Sequence, residues 1–184
     1  MDIPGPKTRK DARMVALQVL YAVELTQQDP EDALRMMENG EERHRDFVRT
    51  LVHTTHRYRN RMDELIGSKS ERWNIDRIAL IDHIILRMAL CELYHMPDIP
   101  PKVTINEAIE LGKDFSTDQS GRFINGLLDA IYLEHEQEIL GKKKDEAAKA
   151  GPHKPKHNSP HKKPNGPGPA SKKQNGNNRG GGKR

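Results

Sequence analysis

Residues 73–96 read WNIDRIALIDHIILRMALCELYHM, the most apolar stretch of the chain, and the way it folds decides the rest. It carries no period-two alternation, so it reads as helix: a short one near Ile75 to Ala79, then a long core helix to about His95. A helix this apolar on every side belongs at the centre of a helical domain.

The flanks supply its neighbours. Upstream, Ala12, Val15, Ala16, Val19, Leu20 and Val23 recur at i, i+3, i+4, i+7, i+8 and i+11, one stripe of a helix from Arg9 to Leu25. Asp29 and Pro30 form an N-cap and N1 pair opening a short helix that closes at Asn39-Gly40. Phe47, Val48, Leu51, Val52, Thr55, Tyr58, Met62, Leu65 and Ile66 mark a long third helix, ended by Gly67. Downstream, MPDIPPKV is too rich in proline to be helical. Thr104 with Glu107 predicts a capping box opening a helix to about Asp114, and Ser116 with Gln119 a second one opening the last helix, which buries Ile124, Leu127, Leu128 and Ile131. The expectation is an all-α fold of about seven helices.

Charge divides the chain. The whole carries +4, and the last 44 residues, from Gly141, carry 13 Lys and Arg against Asp145 and Glu146. That segment is +11, so residues 1–140 are −7. Its Lys, Pro, Gly and Asn leave little to bury, which predicts a disordered basic tail over 141–184 after one domain over 1–140. An acidic body is not a general polyanion coat, so any anion site on it is local.

Catalytic and metal chemistry find little support. Cys91, the one cysteine, sits in the apolar run as a small buried hydrophobe, which excludes an intramolecular disulfide. His53 and His56 are i, i+3 but lie among Arg49, Arg57 and Arg59, which oppose a bound cation. His153, His157 and His161 have no scaffold to hold them in ligand geometry. Phosphate-cradling glycine motifs are absent, as are an 18-residue apolar run and a secretory signal. The sequence reads as a cytoplasmic non-enzyme without metal or cofactor.

Two surfaces remain. Lys10, Arg13, Met14, Leu17, Gln18 and Tyr21 share a helix face beside the apolar stripe, with Lys7 and Arg9 flanking it. The cations stand at the helix N-terminus, where free N–H groups and the dipole also favour an anion. Gln18 can bond a base edge and Tyr21 can stack, the mixture that single-stranded RNA requires. On the last helix Arg122 and Asn125 face outward, with Phe123 at the edge of the apolar stripe and Phe115 just before the cap.

Four blocks now carry a resemblance. RKDARMVALQVLY, W-x-I-D-R-I-x-L-I-D-x-I-I-L-R-M-A-L-x-E-L from Trp73 to Leu93, KVTINEAIELGKDF and RFINGLLDAI together resemble the bacterial NusB antitermination family, over about residues 7–133. The resemblance implies two small helical sub-bundles and no catalysis. It implies binding of the single-stranded boxA element of ribosomal RNA leaders, jointly with the ribosomal protein NusE, inside an RNA-polymerase antitermination complex. The family's arginine-rich segment matches Arg9, Lys10 and Arg13, with Gln18 and Tyr21 in register; its RNA-contacting elements near the last helix match Phe115, Arg122, Phe123 and Asn125. Its NusE-facing surface matches the helix from Ile78 to Leu93, with Asp82 and Glu92 as partners for a basic protein.

Two features depart from the family. Asp11 interrupts the cationic cluster, and the basic tail is extra, a source of added nonspecific RNA affinity. A different reading is a helical adaptor that binds a protein partner and touches RNA only through this tail. Whether the free protein is a monomer or a homodimer is open at this level.

Overall fold

The computed structural model describes residues 7–37, 44–69 and 78–150, and among these the regular structure is entirely helical. Six helices follow in order: α1 Arg9–Thr26, α2 Pro30–Met37, α3 Arg45–Ser68, α4 Leu80–His95, α5 Pro101–Phe115 and α6 Asp118–Ala150. Helices α1 to α3 pack together as one group and α4 to α6 as another. Helix α4 joins the two by lying against α1 and α3.

α4 is the helix at the centre. Ile84, Ile85, Leu86, Met88, Leu90, Cys91 and Leu93 are all buried, and no residue of α4 is exposed. Burial pushes the Cys91 thiol up to about 12, which suits packing and not reactivity. The short helix expected near Ile75 to Ala79 falls partly outside the described residues; Ile78 and Ala79 are non-helical, and Ala79 caps α4.

Local chemistry accounts for most boundaries and corrects four. Thr8 caps α1 and accepts from the Asp11 N–H, while the Asp11 carboxylate accepts from the Thr8 N–H at 3.0 Å. Asp29 Oδ1 accepts from the Glu31 N–H at 2.8 Å, as its expected role requires. The closing Asn39-Gly40 pair lies outside the described residues. α3 runs through Gly67 to Ser68 rather than ending at the glycine. α5 opens at Pro101, so Thr104 is no N-cap; it is buried and donates to Glu92 Oε2 at 3.2 Å. The box at α6 is one residue later than expected: Thr117 Oγ1 accepts from the Ser120 N–H, and the Thr117 N–H donates to Ser120 Oγ. The disorder expected from Gly141 does not hold for residues 141–150, where α6 continues to Ala150, and the rest of that expected tail lies outside the described residues. KKKDEAAKA consists almost wholly of strong helix formers, which extend a helix already nucleated in the core.

α5 and α6 pack closely at one point. A Cβ on Gly112 would come 2.5 Å from Ile124 Cδ1, so the buried Ile124 side chain would have to shift to admit one. This contact fixes the first turns of α6 beside the end of α5.

Candidate nucleic-acid interface

The N-terminal end of α1 meets α5 and the turn after α4 through charge. Arg9 Nη2 donates to Asp98 Oδ2 at 2.8 Å, with its guanidinium 5.1 Å from the Phe47 ring centroid. Lys10 Nζ lies 3.4 Å from Asp114 Oδ2. Lys7, Arg9 and Lys10 are exposed. Phe115 follows Asp114 directly, and Ser116 and Thr117 lead into α6, so Lys7, Arg9, Lys10, Phe115 and the first turns of α6 share one corner. There Arg122 is exposed, Asn125 is half-buried, and Phe115 and Phe123 are half-buried against the core. Gln18 and Tyr21 are exposed farther along α1, about 12 and 17 Å from Lys10 along the axis.

Arg13 is different, and its expected role as a phosphate contact is corrected. It is 3% exposed, and its Nε and Nη2 donate to the two oxygens of Glu92 at 2.7 and 2.8 Å. A third bond, from Nη1, reaches Glu107 Oε2 at 3.3 Å. Burial opposes the charge, but the Glu92 and Glu107 carboxylates outweigh it and raise the guanidinium above its usual range. Arg13 therefore bolts α1 to α4 and α5 beneath the exposed cations. Only part of the signal is local: Arg13 is four and seven residues from buried Leu17 and Leu20, while its pairing with Glu92, which shares the apolar run with Asp76 and Asp82, cannot be read from spacing.

The partner positions are corrected by the same burial. Glu92 is 2% exposed and engaged by Arg13 and Thr104; Asp82 is 6% exposed and accepts from Ser120 Oγ at 2.9 Å. Neither can meet another protein without unpacking α4, which is enclosed on both sides by α3 and α5. Sequence reading also missed Phe47, Asp98 and Asp114, whose link to the cations spans long chain separations. Asp11 fits after all, as the capping partner of Thr8. The Thr8 side chain, followed by the Thr8 and Lys7 N–H groups, holds its carboxyl below the usual carboxylate range. Among the described residues no group of His, Cys, Asp and Glu is arranged to hold a metal, and no helix is long and apolar enough to cross a membrane.

A cationic, aromatic corner on six helices arranged in two groups is one observation; the match of the sequence to a known family is the other. A family model described as the NusB family matches residues 10–133. The chain belongs to the NusB family. Transcription antitermination protein NusB of Syntrophus aciditrophicus is 42% identical over 149 residues, covering 79% of this chain and 89% of that protein. NusB of Salinibacter ruber is 42% identical over 140 residues, covering 73% and 88%. Among solved structures, T. maritima NusB superposes with a TM-score of 0.66 at 29% identity, covering 78% of this chain and 99% of that one. A crystal structure of the antitermination factors NusB and NusE in complex with dsRNA gives a TM-score of 0.60 at 26% identity, covering 68% and 96%. The chain thus spans 88–99% of the length of these relatives, and residues 134–184 extend beyond the family match.

Proposed function

We propose that this NusB-family protein is a non-enzymatic transcription antitermination factor that binds single-stranded boxA RNA of ribosomal RNA leaders together with NusE. In that role it suppresses termination by RNA polymerase. The observation that carries the reading is the corner where Lys7, Arg9 and Lys10 stand exposed beside Phe115 and the first turns of α6, on a body whose net charge is −7. Phosphates would engage Lys7, Arg9, Lys10 and Arg122. Bases would stack on Tyr21, Phe115 and Phe123 and bond Gln18 and Asn125. Arg13 supports this surface from below. The solved complex of a similar NusB with NusE and RNA supports the choice of partners.

The test is an anisotropy titration of a labelled boxA-type RNA and a scrambled RNA of equal length, with and without NusE. Preference for the boxA-type strand, strengthened by NusE, is the expected result. Equal binding to both strands that vanishes when residues 151–184 are removed would leave only the adaptor with an RNA-binding tail.

A further inference from the structure

The acids around the interface cations fall into two kinds. Asp11 caps α1, Glu92 is buried under Arg13 and Thr104, and Glu107 takes the third Arg13 bond. Among the described residues Asp98 and Asp114 have no comparable structural duty. Asp98 stands in the turn after α4, and its side chain meets Arg9 at 2.8 Å; Asp114 stands in the last turn of α5 and meets Lys10 at 3.4 Å. A carboxylate in the last turn of a helix opposes the helix dipole, so local stability does not explain Asp114. Both pairs are about half exposed, with side-chain exposures of 46% and 61% for Arg9 and Asp98 and 46% each for Lys10 and Asp114. Both also join distant parts of the chain, so neither is an incidental pair along one helix.

On the RNA-binding reading above, we propose that Asp98 and Asp114 are specificity-determining residues, exchangeable counter-charges that an RNA phosphate must displace from Arg9 and Lys10. Backbone charge alone is then poorly rewarded. A strand is held only when its bases also stack and hydrogen-bond, so generic polyanions are disfavoured relative to the correct RNA. Exposed ion pairs are weak, so the barrier is low enough for a matching strand to cross.

The test uses the full-length chain, as wild type, Asp98→Asn, Asp114→Asn and the double variant. Each is titrated with a poly(U) 20-mer and a boxA-type RNA over a range of salt. Each single change should tighten poly(U) by about 1.5- to 5-fold. The boxA-type strand should gain less than poly(U), so the preference ratio falls; a ratio equal to that of the wild type overturns the proposal. The poly(U) salt slope should steepen by about 0.7 for each cation freed, whereas the boxA-type slope, whose phosphates already reach these cations in the wild type, should stay unchanged. Glu64→Gln removes an exposed acid whose partner, Arg61, lies on the same helix at 3.2 Å, and controls for net charge. Unchanged poly(U) affinity in the double variant, or an equal gain in Glu64→Gln, overturns the proposal. A wild type with no preference for the boxA-type strand, with or without NusE, refutes the antitermination reading instead, and poly(U) still reports on the two carboxylates.

Discussion

Removing the Arg13 guanidinium separates its two candidate roles. Arg13→Met keeps much of the aliphatic volume but takes from Glu92, 2% exposed, both guanidinium bonds while the Thr104 hydroxyl still donates to it, and leaves Glu107 without its 3.3 Å partner. Breaking one side of a buried pair costs about 3–5 kcal/mol, because the surviving charge stays desolvated and uncompensated. For a body of this size that is a drop in Tm of roughly 10–15 °C. Urea denaturation followed by circular dichroism at 222 nm measures it, and a cycle with Glu92→Leu measures the coupling. The Arg13→Met/Glu92→Leu protein should recover most of the loss, since a buried ion pair replaced by apolar residues is often close to neutral. Under conditions where the variant is folded, its salt slope for RNA should equal that of the wild type. A cost below about 1 kcal/mol together with a flattened salt slope would refute the argument and make Arg13 a phosphate contact.

Other perturbations follow from the same contacts. Burial opposes ionisation of Asp63, but hydrogen bonds from His83 and Arg87 outweigh it and lower its pKa to about 2. A depressed carboxylate stabilises the fold above its unfolded value and loses that contribution as pH falls toward 2. Acid titration should therefore show about 1 kcal/mol lost between pH 4 and 2, after discounting for partial exposure, and Asp63→Asn should remove that slope. Gly112→Ala should destabilise by about 1–3 kcal/mol, read by urea denaturation, since the new Cβ meets Ile124 across the α5–α6 contact. Thr8→Ala should cost about 1 kcal/mol by the same assay, through loss of the α1 cap. Deleting residues 151–184, which carry nine Lys and Arg and no acid, should weaken binding to scrambled RNA and flatten its salt slope more than it changes the boxA preference.

The helices were legible because their apolar residues keep a helical period, and the run from Leu80 to His95 is apolar enough to place itself at the centre. Caps were less legible. Thr104 and Ser116 each have the spacing of a capping box, but Pro101 opens α5 three residues earlier and Thr117 competes successfully with Ser116. The exposed cations Lys7, Arg9 and Lys10 were readable from the face of one helix. Arg13 was assigned to the wrong side of the surface because a charged residue is by default counted as solvent-facing. Its burial depends on Glu92 and Glu107, 79 and 94 positions away, and pairing over that distance leaves no local pattern. Asp82 and Glu92 failed for the same reason: on a helix enclosed by neighbours, an acid is a core partner and not a docking point.

The central claim is that RNA engages the cations exposed at the start of α1. Its most direct test is the salt dependence of boxA-type RNA binding, in the presence of NusE, for the wild type and for Arg9→Ala/Lys10→Ala. Two lost phosphate contacts should weaken binding and reduce the magnitude of the log–log slope by about 1.4. Identical affinity and slope in the two proteins would contradict the account.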